Sequence, residues 1–150
     1  MTVTITGGGK LEARLKEIAA NLRHASTVEV SWLDEASYPD GTPVALVALI
    51  NEFGNAAHGQ PPRPAIRNTI AAKGTEWQDK FAQLLEANDH DASRALALIG
   101  EIIKGDLQQA ITDYSGPPLK PSTVARKGSD KQLVDRGIEL AGIAYRVKDD

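Results

Sequence analysis

At 150 residues, with 41% hydrophobic and 25% charged residues, the chain has the apolar content to bury a core as one domain. A formal net charge of −3 argues against a free-standing nucleic-acid binder, which shows a basic patch and a high isoelectric point, though not against a protein that surrounds DNA without gripping it. With no cysteine, disulfides, thiolate metal sites and cysteine nucleophiles are excluded. No apolar run reaches the roughly 18 residues of a membrane span, and MTVTITGGGK lacks the charged and apolar regions of a secretory signal. The sequence therefore predicts a protein made in a reducing cytoplasm, with no membrane partner.

The N-terminal Thr2 to Thr6 alternates Thr with Val and Ile and reads as a short strand, ended by Gly7-Gly8-Gly9. Leu11, Leu15, Ile18 and Leu22 then recur on one face of an amphipathic helix over about Lys10 to His24. In Thr27 to Leu33, Val28, Val30 and Trp32 alternate with Glu29 and Ser31, the pattern of a half-buried strand. Asp34 to Gly41 is loop by composition, and Thr42-Pro43 has the form of a cap followed by proline at the first helical position. The helix Pro43 to Phe53 is nearly all apolar, so it is expected to be buried or pressed against a partner, and Gly54 stops it.

After a polar loop, Pro64 opens a helix carrying Ile66, Ile70, Trp77, Phe81, Leu84 and Leu85, which Gly74 is expected to kink or split. Asn88 to Asp91 breaks the pattern. Asp91 or Ser93 can cap the next helix, whose stripe is Leu96, Ile99, Ile103, Leu107 and Ile111, and Ser115-Gly116-Pro117-Pro118 ends it. Leu119 to Lys131 is polar and basic, with one short helical turn at Pro121-Ser122. Leu133 to Leu140 reads as a last helix, and Ile143, Tyr145 and Val147 as a terminal strand paired with one of the first two. The fold class predicted is α+β: a small antiparallel sheet of two N-terminal strands and a C-terminal strand, packed with several helices and long loops that order on assembly.

Catalytic grammar is missing. His24, His58 and His90 each stand alone, without a second ligand at helical spacing. Gly7-Gly8-Gly9-Lys10 lacks the spacing of a phosphate loop, and no nucleophile elbow or paired carboxylates stand out. No cofactor or metal is implied. Arg63 and Arg67, four apart at a helix start and on one face, fit a phosphate or carboxylate clamp; the simpler reading is that one of them tethers the preceding loop. The run from Lys120 to Lys131, with Arg126 and Lys127, suits either a mobile basic loop that touches DNA or an acidic neighbour, or a solvated surface.

Two segments carry a family likeness. One is Asn51-Glu52-Phe53-Gly54 followed by Gln60-Pro61-Pro62-Arg63-Pro64 and a helix; the other runs from Pro118-Leu119-Lys120-Pro121 through Lys127-Gly128-Ser129-Asp130-Lys131 to Asp135-Arg136-Gly137. In this grammar, over roughly Ala48 to Val147, the chain resembles the neck and tail-completion proteins of tailed bacteriophages and prophages, including Mu-like phages. It departs from them at Ala65, where they tend to have Phe, at Arg136, where they tend to have Thr, and at Ala141-Gly142-Ile143.

The resemblance implies a virion structural protein without enzymatic activity, assembled in the host bacterial cytoplasm. Such a protein forms a homo-oligomeric ring at the head–tail junction, between the portal or adaptor connector and the tail terminator or tail tube. DNA passes through the ring without sequence-specific binding. Under this resemblance the expected interaction residues are Glu52, Phe53, Gly54, Pro62, Arg63, Pro64, Arg67, Lys120, Arg126, Lys127 and Lys131. A tail terminator, or a small DNA-binding accessory protein resting on the basic loop, are the alternatives.

Overall fold

The longest apolar stripe in the sequence becomes the pivot of the structure. In this computed structural model, which describes residues 8–32, 36–128, 133 and 137–148, the elements run α1 (Gly8–Asn21), β1 (Thr27–Trp32), α2 (Val44–Phe53), α3 (Ala65–Ala87), α4 (Ala92–Asp113), α5 (Pro121–Lys127), α6 (Ile138–Ala141) and β2 (Ile143–Lys148). A single 3-10 turn, Ala56–His58, lies between α2 and α3. The chain is α+β.

Helix α4 buries Leu96, Ile99, Leu107 and Ile111 from its stripe, together with Ala92, Ala95 and Gly100. It packs on one side against α3 and on another against the two strands. The reversal between α3 and α4 is built by Asn88 to Asp91. Asn88 Nδ2 donates to the Leu84 carbonyl at 2.7 Å, Asp89 and His90 adopt left-handed backbone angles, and the Asp91 carboxylate accepts from Arg94 N at 3.0 Å. The polar turn in the sequence is thus an end cap and a start cap in succession. Asp106 ties the hairpin further along, accepting from Lys73 Nζ at 2.6 Å and from Trp77 Nε1 at 2.7 Å.

Strands β1 and β2 pair antiparallel, Thr27 opposite Lys148 and Trp32 opposite Ile143. A two-stranded ribbon is marginal alone in water, so its stability rests on what it covers. It lies on α4 at Gly100, where an added Cβ would come within 2.8 Å of the Tyr145 ring and of Val28 Cγ2. The absence of a side chain there lets sheet and helix close on each other. Below this contact Leu107, Ile111, Ala65, Leu133 and Ile143 form a buried cluster, with Val30, Trp32, Trp77 and Tyr114 packed around it.

Several elements differ from the sequence reading. The expected strand Thr2 to Thr6 lies outside the described residues. Helix α1 begins at Gly8, inside the glycine run, and buries no residue. Pro43 is the N-cap of α2 rather than its first helical residue, with extended backbone angles. Gly74 does not split α3, which runs unbroken for 23 residues. Contacts on both sides of that glycine hold the helix to α4: Lys73 and Trp77 both reach Asp106. The last helix, α6, spans only Ile138–Ala141 among the described residues.

Candidate interaction site

Helix α2 is apolar over most of its length, yet one side of it stands uncovered. Val44, Ala48 and Glu52, spaced four apart, are buried. Leu46, Leu49 and Phe53 stand on the opposite side at 47%, 55% and 59% exposure. Exposed leucines scattered singly are ordinary, but three large side chains in one stripe form a patch of the kind that marks a contact surface.

The end of α2 is clamped to the start of α3 by one carboxylate. Glu52 Oε2 accepts from Ile66 N at 3.1 Å, and Oε1 accepts from Arg67 N at 3.0 Å. These are amide groups of the first turn of α3, which have no acceptor within their own helix. A negative charge there also meets the positive end of the α3 dipole. Arg67 closes the clamp from outside: its Nε donates to Glu52 Oε1 at 2.9 Å and its Nη2 to the Glu52 carbonyl at 2.9 Å. The same guanidinium lies 4.7 Å from the centre of the Phe53 ring. The three residues therefore hold each other, and Phe53 is presented outward on a fixed support.

Gly54 lets the chain leave this joint. Its φ of 78° and ψ of 176° favour glycine, and a Cβ would sit 2.8 Å from Gln60 O and from Pro62 N. The loop beyond is internally bonded: Asn55 N donates to Gln60 O and Gln60 N to Asn55 O, both at 2.9 Å. Asn51 links loop and helices, accepting from Gln60 Nε2 at 3.1 Å, donating from Nδ2 to Glu139 Oε2 at 3.2 Å, and accepting from Arg63 N at its carbonyl at 2.7 Å.

The two arginines do not share a face. Pro64 sits outside the helix as its N-cap, with φ −79° and ψ 58°, so Arg63 belongs to the extended approach and turns inward, while Arg67 is on the first turn and faces outward. Arg63 is buried, and among the described residues its Nε has no hydrogen-bond partner.

Arg63 lies at a cleft of about 660 Å³ between α2, the loop 58–61 and α5, whose walls include Asp40, Val47, Ile50, Lys120, Arg126 and Glu139. Lys120 is the N-cap of α5, with φ −60° and ψ 142°, and Arg126 is exposed on that helix. A hydrogen bond from Thr42 N, at 2.9 Å, holds the Asp40 carboxyl below the usual carboxylate range, so it is ionised at neutral pH.

The expected interaction residues fall into two neighbouring groups. Glu52, Phe53, Gly54 and Arg67 build the joint, with Pro62 and Pro64 in the segment that leads into α3. Arg63, Lys120 and Arg126 meet at the cleft. The Lys127 side chain and all of Lys131 lie outside the described residues. Asn51, Leu46 and Leu49 belong to the same region and were not among the expected contacts; the apolar run of α2 was the signal for the two leucines. Glu139 carried no such signal, because Asn51, which donates to its carboxylate, is distant in sequence.

The chain matches no protein-family model, no curated protein and no solved structure.

Proposed function

We propose that this chain is a structural protein of the head–tail junction of a tailed bacteriophage, a neck or tail-completion subunit that assembles as a ring around the DNA channel. The observation that carries the reading is the bare apolar stripe of α2, Leu46, Leu49 and Phe53, mounted on a joint built by Glu52, Gly54 and Arg67, of which the Glu-Phe-Gly residues belong to the resemblance. A second uncovered stripe, Leu11 and Leu15 on α1, is 63% and 56% exposed. Two different apolar surfaces on one chain suit a heterologous contact, which closes into a ring when the rotation between copies allows it. On this reading the stripe of α2 meets a second copy, and the loops reach the connector on one side and the terminator or tail tube on the other. The reading assigns no enzymatic step and no cofactor. The acidic balance is compatible with passing DNA, since like charge keeps phosphates from adhering.

The test is deletion of the gene from the phage or prophage that carries it, followed by electron microscopy of the lysate. Heads beside free tails of normal length are expected. Overlong tails would make the protein a tail terminator, and normal infectious particles would end both virion readings and bring forward a DNA-accessory role, for which salt-sensitive DNA retention is the marker.

A further inference from the structure

Arg63 and Arg67 are close in sequence and opposite in circumstance. Arg67 directs its donors to Glu52 and its face to Phe53. Arg63 is only 6% exposed, its Nε–H is buried, and among the described residues no acceptor is found for that group. A guanidinium stays charged at any physiological pH. Burying one of its N–H donors without an acceptor costs more than leaving it in water, and the cost is recovered when an acceptor arrives.

The surroundings say what kind of acceptor fits. The cleft is about 660 Å³, within the range of sites that hold a ligand or a few residues of peptide. Its lining includes the apolar side chains of Val47, Ile50 and Leu119. Among the described residues its charges are Arg63, Lys120 and Arg126 against Asp40 and Glu139. The two carboxylates already accept from Thr42 N and Asn51 Nδ2. One positive charge is left over, which suits a single carboxylate better than a doubly charged phosphate. A planar carboxylate also matches the fork of a guanidinium in two parallel hydrogen bonds. A DNA duplex is too broad to bring a phosphate against a side chain buried this far.

We propose that this cleft takes a peptide segment of a partner protein that carries an aspartate or glutamate beside an apolar residue, the carboxylate lying on Arg63 and the apolar side chain against Val47 and Ile50. Lys120 and Arg126, at the rim of the cleft, favour the approach of the acidic segment. The proposal does not rest on the ring reading: it holds for whatever acidic segment the chain meets.

The test follows the Arg63 Nε–H signal in nitrogen–proton correlation spectra of the full chain, assigned through its own side-chain carbons. Three probes are titrated: acetyl-Leu-Glu-amide, acetyl-Leu-Gln-amide and inorganic phosphate. A saturable shift of that signal with the glutamate probe is expected, with binding of the glutamine probe at least about tenfold weaker, the loss of a charge-assisted pair. Arg126→Ala, on the exposed side of α5, is expected to weaken the glutamate probe about two- to threefold with the remaining signals in place. Equal response to glutamate and glutamine would overturn the proposal. So would a response to phosphate alone, which would make the cleft a site for inorganic anions, or no response to any probe, which would make Arg63 a buried structural residue.

Discussion

Helix α1 and the α2–α3 joint both display large apolar side chains to solvent, but they are held in opposite ways. Helix α1 buries nothing and is tied to the body by surface contacts at the α3–α4 turn: Asn21 Nδ2 donates to the Asp89 carbonyl at 2.9 Å and Arg14 reaches the Asp89 carboxylate at 3.3 Å. Exposed pairs of this kind are worth little. The joint is held by a buried carboxylate that accepts three N–H groups, by a guanidinium that grips both carboxylate and carbonyl, and by a glycine under backbone contact. The difference separates two kinds of apolar surface, one on a loosely attached arm and one on a rigid mount. A rigid mount loses less entropy when a partner binds.

The largest expected effect is at the joint. Gly54→Ala meets both a left-handed φ and backbone atoms at 2.8 Å, and is expected to cost about 3 kcal/mol in denaturant unfolding. Glu52→Gln keeps the shape but removes the charge that Arg67 and the α3 amides share; about 2 kcal/mol is expected. A double-mutant cycle with Arg67→Met is expected to return a coupling of about 1 kcal/mol, tempered because Arg67 is half in water. A cycle returning no coupling would leave the joint no better tied than α1.

Acid sharpens the contrast from the core side. Burial would raise the Asp106 pKa, but the hydrogen bonds from Lys73 and Trp77 outweigh it and the carboxyl titrates below its usual range. A carboxylate whose folded value lies below its unfolded value adds stability at neutral pH, and that stability is lost as pH falls from the unfolded value through the folded one. Thermal unfolding of the wild type is therefore expected to weaken below about pH 4, with a flatter acid limb in Asp106→Asn.

Two glycines on helices give smaller effects of opposite sign. Gly100→Ala drives a methyl into the Tyr145 ring and Val28, with a loss of about 1–2 kcal/mol expected despite the better helix propensity. Gly74→Ala meets open space and is expected to gain about 0.5–1 kcal/mol. Smallest of all, Leu11→Ser with Leu15→Ser on α1 is expected to move the stability of the isolated chain by no more than about 0.5 kcal/mol. A large loss there would mean that α1 is packed after all.

Periodicity found what local pattern determines. The alternation from Thr27 to Trp32 and the apolar stripe of α4 both became the elements expected, and the terminal strand pairs with β1. Asp91 caps α4 as its position before the stripe suggests. The misses lie where distant residues decide. Gly74 looks like a breaker in isolation, and only the ties to Asp106 across the hairpin show why the helix continues. Arg63 and Arg67 look like neighbours on a helix face until Pro64 is seen to stand outside the helix.

Glu52 reads as an acid at the end of an apolar run, with nothing local to show that it caps the next helix. Of the candidate site, the Glu-Phe-Gly and Arg-Pro segments were visible in sequence. That Arg63 is buried while Lys120 and Arg126 come to the same cleft is a property of how α5 folds back.

The most direct test of the central claim, that the α2 stripe is a contact surface on a rigid mount, is complementation of the gene deletion by Leu46→Ser with Leu49→Ser. Both positions are exposed, so the purified variant is expected to unfold within about 1 kcal/mol of the wild type while restoring no infectious particles. Normal particle yield from a stably folded variant would contradict the account and leave the stripe without a partner.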